Sequence, residues 1–184
     1  REITEVAADL GIKYLTLYAF STENWTRPKG EVSGLMRLLK MTLRAELASL
    51  NRNNVRLETI GEINRLPDDV REEIERSRQA LAGNTGLRLI LALNYGGRQD
   101  IVQACNAAIK DGQRDMDEAT LAKYLQTAEF PDPDLLIRTS GELRVSNFLL
   151  WQIAYAELHI TPVLWLSLIH ISEPTRLRRI SYAV

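Results

Sequence analysis

Residues 87–97 read Leu-Arg-Leu-Ile-Leu-Ala-Leu-Asn-Tyr-Gly-Gly, a nearly continuous apolar run that stops at Asn94. A parallel strand that is buried on both faces has this pattern, whereas a strand with one face in water alternates apolar and polar residues. We therefore predict a central strand over 87–93. Because ligands of open parallel sheets bind beyond the carboxyl ends of the strands, the polar residues that follow are candidates for function.

Strand and helix patterns alternate on either side of this run. The longest predicted helix covers 31–50, where Val32, Leu35, Met36 and Leu39 recur at three- and four-residue steps. The other strands are predicted at 12–20, 55–60 and 135–137, and the other helices at 3–10, 67–83, 101–109 and 118–126. This alternation predicts one α/β domain with a mostly parallel central sheet flanked by helices.

The composition excludes several classes of protein. With 23 Lys and Arg against 24 Asp and Glu, the net charge supports neither nucleic-acid binding nor a polybasic membrane surface. Cys105 is the single cysteine of the sequence, which excludes an internal disulfide and agrees with a reducing cytoplasm. Since the sequence has two histidines, any bound metal is expected to be a hard, oxygen-liganded cation such as magnesium.

Two of the loops after predicted strands carry side chains suited to phosphate chemistry. Arg138 and Arg144 lie six residues apart, with Gly141 between them and Ser146 just beyond. Arginine forks and a serine hydroxyl could fold around a diphosphate, although surface loops often carry such residues without a ligand. The glycines of 94–97 could serve such a site or merely permit a tight strand-to-helix turn. Both interpretations stay open at this point.

Three stretches together are similar to the cis-prenyltransferase family, whose bacterial members are undecaprenyl diphosphate synthases. They are 15–25 (LTLYAFSTENW), 94–98 (NYGGR) and 138–152 (RTSGELRVSNFLLWQ), and the similarity extends from about residue 1 to residue 165. The resemblance implies the fold of that family and an enzyme that condenses isopentenyl diphosphate with an allylic diphosphate such as farnesyl diphosphate. Each new double bond would be cis, and the product would be undecaprenyl diphosphate, the lipid carrier used in cell-wall synthesis.

The resemblance also implies which residues hold a diphosphate and a metal. Arg138, Arg144 and Ser146 match the positions that bind the diphosphate of isopentenyl diphosphate. Glu157 matches a carboxylate that helps to hold Mg²⁺, the family's cofactor, in keeping with the preference of this hard cation for oxygen ligands. Glu142 is expected to pair with a neighbouring arginine.

Residues at the end of the first predicted strand match the family's reacting centre. Ser21 and Asn24 match polar residues beside the reacting carbons, where they assist removal of a proton from C2 of isopentenyl diphosphate. Trp25 and Arg27 fall in the loop that covers the site, and Arg27 would meet a phosphate. Glu23 is expected to be structural and to pair with a neighbouring arginine.

The growing product is apolar and needs a tunnel. Met36, Leu39, Leu43 and Leu47 of the long helix, facing the strand over 89–93, resemble the family's tunnel wall. The same side chains would form the core of any α/β protein, so the pattern does not separate the two roles.

The sequence departs from the family at its beginning. The family opens with a strand followed by a His-x-x-x-Met-Asp-Gly-Asn-Gly-Arg-Trp-Ala segment, whose Asp is the other carboxylate of the magnesium site. The 184 residues begin with Arg1 and contain no such segment. We therefore expect that the first strand and the loop that cradles the allylic diphosphate are missing, and that this fragment is itself inactive.

A second departure follows residue 165. Residues 166–176 (LSLIHISEPTR) look like the translation of a sequencing-library adaptor. We therefore expect a partial domain over 1–165 and a non-native tail over 166–184, which removes His170 as a metal ligand. A divergent natural tail is the alternative.

Two other functions fit parts of the pattern. A non-catalytic partner subunit of a cis-prenyltransferase would share the fold but typically loses the Ser-x-Glu-Asn-Trp and Arg-Thr-x-Gly-Glu residues, which this sequence retains. A nucleotide-binding α/β module would need a Gly-rich phosphate loop with a lysine, which the 184 residues lack. The enzyme is favoured, and the resemblance implies a homodimer in the cytoplasm, at the inner face of the plasma membrane, to which it delivers its lipid product.

Overall fold

The computed structural model describes residues 2–163 and, as backbone, residues 179–183. In these ranges six strands form one sheet in the order β2-β3-β1-β6-β4-β5, and every neighbouring pair is parallel. The strands are β1 (Tyr14–Ser21), β2 (Arg56–Ile60), β3 (Arg88–Tyr95), β4 (Leu135–Arg138), β5 (Glu157–Ile160) and β6 (Arg179–Ala183). The helices are α1 (Glu2–Asp9), α2 (Lys29–Arg52), α3 (Asp68–Ala80), α4 (Gly97–Lys110) and α5 (Glu118–Tyr124). The predicted α/β fold with a parallel sheet is confirmed.

The apolar run that begins at Leu87 forms the buried strand β3. Its residues from Leu89 onward are all buried, because β1 and β2 pair with its two edges and helices cover the sheet. The strand continues through Asn94 and Tyr95, two residues beyond the predicted end. Tyr95 is 1% exposed, and its hydroxyl donates to the Asp100 carboxylate at 2.9 Å, so this polar side chain is satisfied inside the sheet layer.

Alternate side chains of β3 enter separate clusters on the two faces of the sheet. Leu89 and Leu91 pack with Leu43 of α2 and with apolar residues of α1 and α3. Ile90 and Ala92 point to the opposite face. There they join the aromatic residues Tyr18, Tyr95 and Phe148.

Strand β6 lies between β1 and β4. Residues 179–182 pair with β1, and 180–183 pair with β4. Residues 164–178 and 184, with His170 among them, lie outside the described residues. Backbone hydrogen bonds hold a parallel strand regardless of its side chains, so the non-native origin of 166–184 stays a prediction.

Strands β5 and β6 and the 3-10 helices at 22–26 and 63–65 were not predicted from the sequence. Residues 22–26 form a short 3-10 helix directly after β1, and β5 is a short edge strand with exposed side chains. Helix α2 has 24 residues but carries charges along its length. Among the described residues, no helix combines the length and the apolar character needed to cross a bilayer.

Candidate functional site

Three polar loops meet at the carboxyl edge of the sheet. They follow β1 at Ser21, β3 at Tyr95 and β4 at Arg138. Strands β3 and β1 are neighbours in the sheet, and β4 is separated from β1 by β6. The loops singled out from the sequence therefore lie at one edge of the molecule, where open parallel sheets bind ligands.

Arg138 is the buried anchor of the loop after β4. Its Nη1 donates to Ser146 Oγ at 3.0 Å, and its Nη2 pairs with the carboxylate of Glu142. Arg144 Nη2 donates to the same carboxylate at 2.7 Å. The structure therefore brings together all three residues that were predicted to bind a diphosphate. The Nε of Arg138 is buried and has no hydrogen-bond partner in the described part of the chain.

Glu142 neutralises part of the arginine charge when no ligand is bound. The hydrogen bond from Arg138, together with the charges of both arginines, lowers the pKa of Glu142 below its ordinary value. The predicted pairing of this carboxylate with a neighbouring arginine is confirmed. Since an anion would need the same guanidinium N–H groups, a diphosphate would bind here in competition with Glu142.

The backbone of this loop is held in an uncommon conformation. Ser140, Ser146 and Asn147 have φ values of 68°, 48° and 61°, in the left-handed region that non-glycine residues seldom adopt. The loop is fastened to the segment after β5, because Gly141 N donates to Thr161 O at 2.9 Å. Left-handed non-glycine residues persist where the surrounding structure enforces them, and they cluster at functional sites.

The predicted pair Ser21 and Asn24 lies at the end of β1. Asn24 Oδ1 accepts a hydrogen bond from the Ser21 backbone N–H at 2.8 Å, and both side chains are partly buried. The bond folds the Ser-Thr-Glu-Asn stretch back on the strand end. Both polar side chains are thereby kept at the carboxyl edge of the sheet.

The structure gives Trp25 and Arg27 different surroundings. Trp25 Nε1 donates to Asn94 Oδ1 at 2.8 Å, and its ring meets that of Phe20 edge-on at a centroid distance of 5.1 Å. Arg27 pairs with Glu31 at 3.9 Å, and both side chains are more than half exposed. Trp25 is therefore tied to the strand ends, whereas Arg27 remains at the surface.

Among the described residues Glu23 pairs with no arginine, contrary to the prediction. Glu23 accepts hydrogen bonds from Asn147 Nδ2 at 2.8 Å and from Thr22 Oγ1 at 3.1 Å. Burial alone would raise the pKa of Glu23, but the hydrogen bonds from Asn147 and its neighbours outweigh that effect and lower it. A neutral amide, 124 residues away in the chain, takes the place of the expected cation. Sequence reasoning did not identify Asn147.

A buried polar network supports the site from below. Tyr18 OH donates to the Tyr95 carbonyl at 3.1 Å, and the Asp100 carboxylate accepts from Tyr95 OH and from Gln152 Nε2. Burial raises the pKa of both tyrosines, so their hydroxyls stay protonated as donors. The network holds the ends of β1 and β3 to the start of α4.

Glu157 is not part of the arginine cluster. It stands opposite Leu135 at the beginning of β5, three positions before the pair Arg138 and Ile160. At the rise of a parallel strand this separation is roughly 10 Å. No group of three metal-ligating side chains occurs in the described residues. The role of Glu157 as a magnesium ligand therefore stays a prediction.

A cavity of about 350 Å³ lies between α2 and the sheet. It runs beside Leu89, Leu91 and Leu93 of β3, a span of roughly 13 Å at the rise of a parallel strand. Near the carboxyl edge it is lined by Ala19 and Phe20. At its other end the lining becomes polar, with Thr4, Glu5, Glu46, Ser49 and Asn53.

The cavity wall includes most of the helix residues expected to line a tunnel. Met36, Leu39 and Leu43 border the cavity, whereas Leu47 packs against the core beside it. The volume is at the lower end of the range usual for ligand pockets. The apolar side chains of α2 therefore form a wall as well as a core.

Comparison with known proteins places these observations in one family. The prenyltransferase family model described as undecaprenyl diphosphate synthase matches residues 1–172. An isoprenyl transferase of Fusobacterium nucleatum is 49% identical over 165 residues, which are 90% of this chain and 71% of that protein. Across the first curated relatives the chain spans between 64% and 71% of their own length.

Two solved structures share the fold. Lavandulyl diphosphate synthase from Lavandula x intermedia, in complex with dimethylallyl diphosphate, has a TM-score of 0.83 and 39% identity and covers 93% of this chain and 75% of its own. A probable undecaprenyl diphosphate synthase from Campylobacter jejuni has a TM-score of 0.81 and 35% identity, covering 95% and 88%.

Proposed function

Because this chain belongs to the undecaprenyl diphosphate synthase family of prenyltransferases, we propose that its protein elongates an allylic diphosphate with isopentenyl diphosphate. The starter would be farnesyl diphosphate, the new double bonds would be cis, and the product would be undecaprenyl diphosphate for cell-wall synthesis. One observation carries the proposal. A buried arginine, Arg138, which contacts Ser146 and Glu142, lies at the same sheet edge as the near end of an apolar cavity.

The arginine cluster suits the diphosphate of isopentenyl diphosphate. Arg138 and Arg144 present planar forks to one spot, and Ser146 adds a hydroxyl donor. Forks of this kind bind phosphate oxygens in pairs and keep their charge at every relevant pH. When the ligand enters, its oxygens would replace Glu142 as the acceptors of these N–H groups.

The residues after β1 suit the reacting end of the substrates. In the condensation, the C1–O bond of the allylic diphosphate breaks and its electron pair leaves with the diphosphate. A new bond joins C1 to C4 of isopentenyl diphosphate, and C2 loses a proton with the assistance of Ser21 and Asn24. The products are the longer allylic diphosphate, free diphosphate and a proton. Trp25 and Arg27 would cover the site.

Glu157 would provide one carboxylate ligand to Mg²⁺, with substrate phosphates as further ligands. When bound, Mg²⁺ would stabilise the negative charge of the departing diphosphate. Its position in β5 places Glu157 away from Arg138 along the strand direction. The carboxylate would therefore approach the substrates from a different side than the arginine cluster.

A homodimer through the β5 edge would complete the proposed assembly. Tyr155, Leu158 and Leu143, near this edge, are 99%, 55% and 85% exposed. An edge strand with exposed apolar neighbours is a surface that proteins usually cover. The lipid product would be delivered to the inner face of the plasma membrane, where we expect peripheral association.

Incorporation of labelled isopentenyl diphosphate into lipid tests the proposal. We expect no turnover by the 184-residue chain alone. We expect turnover, with a polyprenyl product, by an extended chain that carries the amino-terminal segment of the Fusobacterium nucleatum relative. The extended chain with Arg138→Ala is the matched control and should be impaired. A folded extended chain that binds neither substrate would refute the proposed function.

A further inference from the structure

Asn147 lies at the junction of the three loops that form the site. Its Nδ2 donates to Glu23 Oε1 at 2.8 Å in the loop after β1 and to Gln99 Oε1 at 3.1 Å in α4. Its Oδ1 accepts from the Arg98 backbone N–H at 2.9 Å. Its main-chain carbonyl accepts from Gly97 N at 2.7 Å. One residue thus uses both ends of its amide and its backbone to join segments distant in sequence.

The glycine at position 96 leaves room for this junction. A Cβ built on Gly96 would come within 2.7 Å of Asn147 Nδ2, 2.8 Å of Thr22 Oγ1 and 2.3 Å of Gln99 Oε1. The φ of Gly96 is −155°, an extended value that any residue adopts. A side chain at position 96 would therefore displace the ends of these three side chains, whereas the turn itself does not require glycine. Glycine at this position accommodates the packing of the three side chains and not the conformation of the turn, and a role of the stretch in a diphosphate site stays a prediction.

The junction is adjacent to both halves of the proposed chemistry. Ser146, the preceding residue, accepts from the diphosphate-binding Arg138. Glu23, across the junction, belongs to the turn in which Ser21 and Asn24 are hydrogen-bonded. A change in the position of Asn147 would therefore move the diphosphate side and the reacting side together.

We propose that Asn147 is a positioning residue, which sets the spacing between the Arg138–Ser146 diphosphate site and the Ser21–Asn24 turn through its hydrogen bond to Glu23. The inference rests on the proposed function, since it assigns a purpose to the spacing. Asparagine is required because the junction needs a donor toward Glu23 and an acceptor toward the α4 backbone at once. An aspartate would keep the acceptor and place a second carboxylate against Glu23.

A reciprocal exchange tests the inference. Binding of inorganic diphosphate and of isopentenyl diphosphate is measured by titration calorimetry, and thermal unfolding confirms that each variant is folded. We expect Asn147→Asp to weaken binding by about tenfold or more, because two carboxylates then face each other. The double variant Asn147→Asp with Glu23→Gln restores a donor–acceptor pair with the polarity reversed. We expect it to return to within about threefold of the parent.

Asn106→Asp is the matched control, since it makes the same change of charge at an exposed position of α4. It should bind like the parent. Unchanged binding in Asn147→Asp, or a folded double variant that stays as weak as the single one, would overturn the inference. If Asn147→Asp does not fold, the binding affinity of the double variant alone tests the inference: affinity close to that of the parent supports it, and weak binding by the folded double variant overturns it. A parent chain that binds neither probe would instead count against the proposed function.

Discussion

The polar loops at the carboxyl edge of the sheet and the apolar cavity beside α2 are built on different principles. The polar site depends on a few side-chain groups, such as the guanidinium of Arg138 and the amide of Asn147. Their hydrogen bonds join segments up to 124 residues apart. The cavity depends on many side chains of α1, α2 and the strands β1, β2 and β3, and no single one of them forms it alone. The first region should therefore fail at one substitution, and the second should change gradually in volume and stability.

The largest effect is expected at Arg138. In the extended chain, Arg138→Ala should raise the KM for isopentenyl diphosphate by about 100-fold, or about 3 kcal/mol, because a buried, charge-assisted anchor is lost. The KM for the allylic substrate should change far less, and the length of any product should not change. Arg138→Lys keeps the charge but not the planar fork, so its KM for isopentenyl diphosphate should lie between the values of the parent and of Arg138→Ala. Equal effects on both substrates would move Arg138 out of the assigned subsite.

The next effect concerns the cavity wall. Leu43 is 5% exposed and borders the cavity, so Leu43→Ala should lower the free energy of unfolding by about 2–3 kcal/mol through lost packing. Binding of inorganic diphosphate should stay within about twofold of the parent, because Leu43 belongs to α2 and to the core cluster on the cavity side and is not a residue of the polar loops. Chemical denaturation and calorimetry on the same samples check both statements. A loss of diphosphate binding in the folded variant would show that the two regions are coupled.

A smaller effect is expected at Arg144, which is 64% exposed in its side chain. Arg144→Ala should weaken binding of isopentenyl diphosphate by about tenfold, less than the loss at Arg138, because solvent screens an exposed charge. Titration calorimetry of Arg144→Ala and Arg138→Ala with isopentenyl diphosphate shows which substitution weakens binding more. If Arg144→Ala costs more than Arg138→Ala, the buried residue is not the anchor of the site.

The smallest effect is a dependence of stability on pH. The hydrogen bond from Arg138 holds the pKa of Glu142 below its ordinary value, so the folded pKa is lower than the unfolded one. The ion pair therefore stabilises the fold above the unfolded pKa, and this contribution is lost as the pH falls through the folded pKa. Glu142→Gln should flatten the acid side of a plot of melting temperature against pH. An acid side as steep as in the parent would assign the dependence to other carboxylates.

The two regions also differ in how well the sequence predicts them. The periodicity of α2 and the continuous apolar run of β3 predict the cavity wall, because side-chain spacing within one element determines which face it buries. The residues of the polar site are recognisable one by one as arginine, serine and asparagine. Their pairing is not, because it is made between distant segments once the sheet has formed. For this reason the sequence led us to expect an arginine beside Glu23, whereas the residue that contacts Glu23 is Asn147.

The edge of the sheet shows the same limit. Strand β5 has four residues, and its exposed side chains lack the apolar alternation that marks a half-buried strand. Its position is set by pairing with β4, in which Leu135 stands opposite Glu157. This register also places Glu157 away from Arg138, which no spacing in the sequence indicates.

A crystal structure of the chain with isopentenyl diphosphate tests the central claim most directly. We expect the diphosphate to lie against Arg138, Arg144 and Ser146, with Glu142 displaced from the two arginines and the hydrocarbon directed toward the near end of the cavity at Phe20. A diphosphate bound elsewhere, with Arg138 still paired to Glu142, would contradict the account.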